Sequence, residues 1–337
     1  MIAAMTMVET GAEADWDSSL AAMQPILSLS HPDYVKRIRM ALDRVGIVDA
    51  VRDGNSRAVF ERLFDQFQYQ GVSDAAAQAF VAKHGRPHFT DLYAELSWPP
   101  DCQKLSSYWA FSACGYRKGQ QTCAKPDLLH HCYLPQHQFR NGRLSQSAYS
   151  FFLFVRDICD GDLVSWIDGR LASADDGSAK RTAWMRDAVL EPMTNIYGVS
   201  RKVLSMALSD LLLGVDPERE RWVTTGASMI AIDTLVHNFL VRTGILGRHG
   251  KKHSYGPACY GAGGCAEIIE MIADHVDARD FGSEYPRRFP RFIQWSIWSF
   301  CAQQGWNVCN GNTINDRQRC ANVFCPVFRD CARVRLG

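Results

Sequence analysis

Hydrophobic residues recur along this chain with the spacing of helices that bury one face. Between residues 56 and 68, five apolar side chains fall on one helical face: Val59, Phe60, Leu63, Phe64 and Phe67. In the run 203–213, four leucines fall at i, i+4, i+7 and i+8: Leu204, Leu208, Leu211 and Leu212. This periodicity is typical of amphipathic helices. Similar helix-compatible runs cover 33–52, 74–83, 144–158, 161–170 and 181–193.

The turn between the runs 181–193 and 203–213 has a distinctive sequence. Residues 195–202 read N-I-Y-G-V-S-R-K. Gly198 can take a positive φ, which most residues resist, and Ser200 can cap the following helix through its hydroxyl. We therefore expect two helices joined by a tight turn. The first N–H groups of the second helix form a positive end that can hold a phosphate.

A second motif follows further along the chain. Residues 229–237 read M-I-A-I-D-T-L-V-H, an apolar run that ends at Asp233 and leads into another predicted helix. Lys202, in the first turn of the earlier helix, precedes Asp233 by 31 residues. Asp233 could serve only as the N-cap of its helix, although capping and catalysis are compatible. Lys202 could equally be a solvent-facing or phosphate-binding lysine.

Together these motifs resemble the helix-hairpin-helix DNA glycosylase superfamily. The hairpin of that family has the form G-V-G-x-K, and a later apolar run ends in a catalytic aspartate; here the matching residues read G-V-S-R-K and A-I-D-T-L-V-H. Ser200 replaces the second hairpin glycine, and Tyr197 replaces the usual proline. The separation of Lys202 and Asp233 is similar to that in the archaeal oxoguanine glycosylases and longer than in the endonuclease III branch. The resemblance covers residues 55–337.

The resemblance implies an all-α fold with two helical subdomains and a DNA-binding cleft between them. We expect interleaved subdomains over 31–300, with the hairpin at 195–213, and a cysteine metal loop at 301–337. The implied function is that of a base-excision repair glycosylase with AP lyase activity, which flips a damaged base out of duplex DNA. In this interpretation Lys202 is the nucleophile, and Asp233 activates it and stabilises positive charge on the sugar.

The same resemblance implies which residues contact DNA. Gly198, Ser200 and Arg201 of the hairpin would grip the phosphates beside the lesion. In the turn Q-Y-Q-G-V-S-D, either Gln68 or Gln70 could insert into the gap left by the flipped nucleotide. A polar loop between two helices is an equally good interpretation of that turn.

Residues 247–265 form a basic loop with six glycines. Three of its cations could contact phosphate: Arg248, Lys251 and Lys252. Four of its side chains could bind a metal: His249, His253, Cys259 and Cys265. Loops of this length are usually functional or disordered, so a flexible, solvated loop is the alternative.

Four cysteines near the end of the chain have the spacing C-x10-C-x4-C-x5-C: Cys309, Cys320, Cys325 and Cys331. The endonuclease III and adenine glycosylase relatives carry a C-terminal four-cysteine loop that holds a [4Fe–4S] cluster, and its ending matches C-P-V-F-R-D-C at 325–331. The first two gaps are longer here, and Cys301 is a possible substitute ligand. Four thiolates suit a cubane cluster or zinc equally. The family resemblance favours the cluster, with zinc as the alternative.

Composition limits where such a protein works. The 337 residues carry a net charge of +1, so any DNA contact must be local. Twelve cysteines without the features of a signal peptide predict a reducing compartment, where clustered cysteines more often bind metal than form disulfides. We therefore expect a cytoplasmic monomer, nucleoid-associated on DNA, with no membrane span.

Residues 1–30 show no clear period, which predicts a mobile lead-in.

Two other classes of protein remain open on the sequence alone. A non-enzymatic DNA-binding protein would use the hairpin and the metal loop as structure, and would need neither Lys202 nor Asp233. A metalloenzyme would instead be centred on His253, Cys259 and Cys265. Because both the lysine and the aspartate are present, the sequence favours the glycosylase.

Overall fold

The computed structural model describes residues 16–30, 32–69, 74–97, 99–136 and 142–336. Regular structure in these residues is helical, with no β-strand and one isolated bridge between Arg117 and Thr122. The protein is thus mostly helical, as the all-α expectation required. The helices are α1 (Asp17–Ser28), α2 (Tyr34–Arg44), α3 (Ile47–Arg52), α4 (Ser56–Phe67), α5 (Asp74–His84), α6 (Phe89–Leu96), α7 (Tyr108–Phe111), α8 (Gly142–Asp157), α9 (Leu163–Ala174), α10 (Arg181–Met193), α11 (Arg201–Gly214), α12 (Glu220–Ser228), α13 (Thr234–Arg242), α14 (Ile245–His249), α15 (Cys265–His275) and α16 (Pro290–Cys301).

The chain divides into two compact units, each built from separate stretches of sequence. The first unit comprises Met1–Pro32, Ile232–Ser283 and Phe292–Gly337, and the second comprises Asp33–Ala231 and Glu284–Arg291. The cysteine-rich C-terminal segment therefore belongs to the same unit as α13, α14 and α15. We had expected it to form a separate loop after a helical region ending at residue 300.

The second unit has an aromatic core. The apolar face expected between residues 56 and 68 is buried in α4. The Phe60 ring stacks on the Phe151 ring of α8 with centroids 4.5 Å apart, and Phe67 lies against the same ring at 5.0 Å. The four leucines expected on one face of α11 are likewise buried. Burial of these side chains supplies most of the driving force that holds α4, α8 and α11 together.

The short segment Glu284–Arg291 is held in the second unit by polar contacts. The backbone N–H of Tyr34 donates to the hydroxyl of Tyr285 at 3.0 Å. The buried guanidinium of Arg291 lies 3.6 Å from the carboxylate of Asp210 in α11. Because an unpaired buried charge is costly, this pair fixes the segment against α11.

The first unit begins with a helix where the sequence indicated weak structure. Helix α1 buries Met23, Ile26 and Leu27. The ring of Trp16 stacks on His249 with centroids 3.8 Å apart. The sequence shows no clear period over 1–30, whereas residues 17–28 form α1, which is packed by long-range contacts that local periodicity does not reveal.

Helices α11 and α12 pack tightly against each other at Gly226. A Cβ built at this glycine would lie 2.9 Å from Cγ of Leu213 and 3.0 Å from the backbone nitrogen of the same residue. The Gly226 carbonyl also accepts a hydrogen bond from the Ser209 hydroxyl at 3.0 Å. A side chain at position 226 would have to push the two helices apart.

We predict that Gly226→Ala lowers the free energy of unfolding by about 1–3 kcal/mol through overpacking. Gly169→Ala is the matched control, because position 169 is exposed in α9 and a Cβ there meets nothing within 4 Å. Alanine favours a helix interior by up to about 1 kcal/mol over glycine, so the control should be neutral or stabilising. Thermal unfolding of both variants tests this. Equal midpoints for the two would show that α11 and α12 can separate without cost.

Candidate functional site

The turn between α10 and α11 has the geometry expected from its sequence. Gly198 has φ of +74°, and the Ser200 hydroxyl accepts a hydrogen bond from the backbone N–H of Val203 at 3.4 Å. Two serines of α8 form hydrogen bonds with the backbone of the turn. Ser147 donates to the carbonyl of Tyr197 at 2.7 Å, and the N–H of Tyr197 donates to the hydroxyl of Ser150 at 3.0 Å. The predictions of a positive φ at Gly198 and a cap at Ser200 are confirmed.

Two cations begin α11, and they have different surroundings. The guanidinium of Arg201 pairs with the carboxylate of Glu191 and lies 3.8 Å from that of Asp187. Lys202 is half-buried, and no hydrogen bond or ion pair joins its amine to another of the described residues. Lys202 is therefore the cation at this helix end that a ligand could recruit without breaking an ion pair.

Asp233 caps the N-terminus of α13. Its carboxylate accepts a hydrogen bond from the backbone N–H of Val236 at 2.9 Å, so the expected cap is present. The preceding residue, Ile232, is buried, and its N–H donates to the hydroxyl of Tyr260 at 2.9 Å. Asp233 itself is half-buried. Asp233 belongs to the first unit and Lys202 to the second.

One turn after Asp233, a histidine of α13 meets the glycine-rich loop. The ligand atoms of His237, His253, Cys259 and Cys265 all lie within 4.8 Å of one another. In the described part of the chain, this is the only group of three or more His, Cys, Asp or Glu side chains that could hold a single metal ion. The loop residues His253, Cys259 and Cys265 were expected as ligands. His249 instead stacks on Trp16.

His237 was not predicted as a ligand, because it lies outside the 247–265 loop. The available signal was its place four residues after Asp233, which sets it one helical turn from the cap. That spacing gives no information about which distant segment packs against it. Only the tertiary fold brings His237 to Cys259 and Cys265.

The loop that carries these ligands is tightly folded. The N–H of Lys251 donates to the carbonyl of Gly263 at 2.8 Å, which closes the loop's two ends. A Cβ at Gly264 would lie 2.4 Å from the carbonyl oxygen of Ala258 and 2.8 Å from that of Cys259. Only glycine fits such a close backbone approach. A flexible, solvated loop is therefore not the arrangement that the sequence adopts.

Two of the four C-terminal cysteines, Cys309 and Cys331, contact Arg242 at the end of α13. Burial raises the pKa of Cys325 to about 11, and repulsion from Cys309, Cys331 and Cys320 adds to this. The buried guanidinium of Arg242 donates to Sγ of Cys309 at 3.2 Å. A hydrogen bond from the Cys301 thiol is the largest cause that lowers the pKa of Cys309. The positive charge of Arg242 lowers this pKa further.

The remaining DNA-contact residues expected from the sequence have mixed outcomes. Lys251 and Lys252 are exposed on the glycine-rich loop, where phosphate can reach them. Gln68 is buried, and its amide donates to the carboxylate of Asp65 at 3.3 Å. Gln68 is therefore not a free side chain for insertion into DNA. Gln70 lies outside the described residues.

Comparison with protein-family models, with curated proteins and with solved structures gave no significant match. No helix in the described ranges combines the length and the apolarity needed to cross a lipid bilayer.

The cap at Asp233 predicts how substitutions there affect stability. Asp233→Ala should cost about 1 kcal/mol, because the N–H of Val236 loses its acceptor. Asp233→Asn should cost only a few tenths of a kcal/mol, since asparagine caps about as well as aspartate. Chemical denaturation of the two variants beside the wild type checks this. Equal losses in both would show that the negative charge, rather than the cap hydrogen bond, stabilises this helix end.

Proposed function

We propose that this protein is a DNA glycosylase of base-excision repair that also cleaves the strand as an AP lyase. The observation that carries the proposal is the N-terminus of α11, where Gly198 turns the chain, Ser200 caps the helix and Lys202 lies in the first turn with no ion-pair partner among the described residues. Asp233, which caps a second helix, is the carboxylate that the resemblance assigns to catalysis.

A helix N-terminus suits the backbone of DNA. The first N–H groups of a helix lack intrahelical partners and carry a partial positive charge, so they bind phosphate without reading the base sequence. The turn before α11 is held by Ser147 and Ser150 and can therefore present these groups in a fixed orientation. The exposed amines of Lys251 and Lys252 would add local cations to a chain whose net charge is only +1. Binding of this kind weakens as salt rises.

The proposed reaction begins with a flipped nucleotide, because a base inside the duplex stack cannot be reached. The uncharged amine of Lys202 attacks C1′ of the sugar, and the C1′–N bond breaks as the base leaves with its electron pair and takes up a proton. The sugar ring opens to an imine between the lysine nitrogen and C1′. Loss of a proton from C2′ then expels the 3′ phosphate and cuts the strand.

Asp233 has two tasks in this scheme. Its carboxylate accepts the proton that the lysine amine must lose, and it stabilises the positive charge that develops on the sugar as the base departs. A half-buried carboxylate is well suited to both, since partial removal from water strengthens its field. The cap hydrogen bond to Val236 holds the side chain in one orientation.

The four C-terminal cysteines have the side-chain type, a thiolate, that binds a [4Fe–4S] cluster. Repulsion from Cys309, Cys331 and Cys320 adds to the raised pKa of Cys325, and Arg242 places a positive charge against Cys309. They do not form a group tight enough for a single ion among the described residues, whereas a cubane carries its four thiolates on separate irons. Such a cluster would cross-link the C-terminal segment beside the end of α13.

We predict that Lys202→Gln abolishes covalent trapping of the protein on abasic duplex DNA by borohydride, because no imine can form. Affinity for the same DNA should be nearly unchanged, since backbone N–H groups provide most of the grip. Lys180→Gln is the matched control: Lys180 stands immediately before α10, at the other helix of the pair, and its substitution should leave trapping intact. Undiminished trapping by Lys202→Gln would remove this lysine from the mechanism.

Asp233→Asn separates catalysis from capping. We expect it to lower the rate of base release by roughly 10²–10⁴-fold, because a neutral amide neither accepts a proton nor stabilises the sugar cation. The measurement is single-turnover release from duplexes that carry oxidised, deaminated or alkylated bases. A fully active Asn variant would mean that Asp233 only caps α13. If wild-type protein binds DNA but releases no base from any duplex, the non-enzymatic DNA-binding class is the correct one.

The cluster makes its own prediction. Purified protein should be brown and contain about four irons per chain. Cys325→Ser should lose iron and destabilise the C-terminal segment, because metal binding is coupled to folding. Cys123→Ser, which changes a cysteine in the second unit, should keep both colour and iron. Colourless protein with zinc bound by the C-terminal cysteines would refute the cluster.

A further inference from the structure

The His237, His253, Cys259 and Cys265 side chains are spaced as the ligands of one tetrahedral ion. Nδ1 of His237 lies 3.3 Å from Sγ of Cys265 and 3.6 Å from Sγ of Cys259, and Nε2 of His253 lies 3.5 Å from Sγ of Cys265. A tetrahedral zinc ion has bonds of about 2.3 Å to sulfur and about 2.0–2.1 Å to nitrogen, so its ligand atoms stand about 3.3–3.8 Å apart. The three separations fall in that interval.

The surroundings of the group orient its ligands. Nδ1 of His253 lies 2.7 Å from the carbonyl oxygen of Lys251. When the N–H at Nδ1 donates to this carbonyl, Nε2 keeps a free lone pair that faces Cys265. Such an outer hydrogen bond is the usual partner of a metal-binding histidine. Cys265 is the first residue of α15, so a regular helix fixes its position. Cys259 is fully buried, and its backbone N–H donates to the carbonyl of Gly256 at 3.0 Å.

We propose that His237 and His253, together with Cys259 and Cys265, bind one Zn²⁺ ion. Two imidazoles and two thiolates in a tetrahedral arrangement select zinc among the common biological metals. All four positions are taken by protein, so the ion is structural and has no open position for a substrate. This differs from the metalloenzyme alternative, which would need such a position. The site is also separate from the C-terminal cysteines in both ligand type and place.

The ion would join three segments of the first unit. His237 belongs to α13, His253 and Cys259 to the glycine-rich loop, and Cys265 to α15. The loop also reaches the start of α13, because Tyr260 follows Cys259 and its hydroxyl accepts the N–H of Ile232. The loop is therefore fixed to His237, one turn after Asp233, and to Ile232, directly before it, whatever reaction the protein performs.

Metal analysis of the purified 337-residue chain tests the proposal. Wild-type protein should contain one zinc per chain, and the double variant Cys259→Ser/Cys265→Ser should contain none. Two controls separate this site from others: Cys123→Ser and Cys325→Ser should both keep one zinc. A double variant that holds as much zinc as the wild type, or zinc that is lost only with Cys325→Ser, overturns the assignment. So does wild-type protein that neither contains zinc nor takes it up.

A spectroscopic measurement keeps the test valid if the double variant fails to fold. X-ray absorption at the zinc edge of wild-type protein should show two sulfurs at about 2.3 Å and two nitrogens at about 2.0–2.1 Å. Replacement of the zinc by cobalt should give the visible bands of a tetrahedral ion with thiolate charge transfer. His253→Gln should reduce zinc affinity while the folded helical signal persists. A shell of four sulfurs would place the zinc at the C-terminal cysteines and contradict the proposal.

Discussion

The hydrogen bond from the Val236 N–H to the Asp233 carboxylate fixes where α13 begins, and the first unit is arranged around that helix. One turn later, His237 meets the glycine-rich loop. At the last residue, the buried guanidinium of Arg242 meets Cys309 and pairs with Asp316. A buried arginine requires such partners, because its desolvated charge is otherwise unfavourable. One nine-residue helix therefore connects the proposed catalytic carboxylate, the zinc ligands and the C-terminal cysteines.

The second unit supports a different kind of site. Aromatic packing of α4 against α8, and the buried face of α11, give a rigid base for the turn that precedes Lys202. In the proposed function, backbone N–H groups at this helix end bind phosphate, and a rigid base positions them more accurately than a mobile loop would. Arg201 is held by its acidic partners, whereas Lys202 has no ion pair in the part of the chain that the structure describes.

Local rules were sufficient to predict the parts of this fold that depend on neighbouring residues. The bounds of α10, the positive φ of Gly198 and the caps at Ser200 and Asp233 follow from residue types within a few positions. Contacts between distant segments were not predictable in this way. Helix α1, the pairing of Arg201 with α10 and the meeting of His237 with the loop each depend on tertiary packing, about which a periodic pattern carries no information.

The most direct test of the proposed chemistry is to locate the covalent bond. Borohydride reduction of wild-type protein on abasic duplex DNA, followed by nuclease and protease digestion and mass spectrometry, identifies the lysine that carries the sugar. If the helix end before α11 is the catalytic centre, the modified peptide contains Lys202. A sugar attached to another amine, or no adduct on any DNA tested, would contradict it.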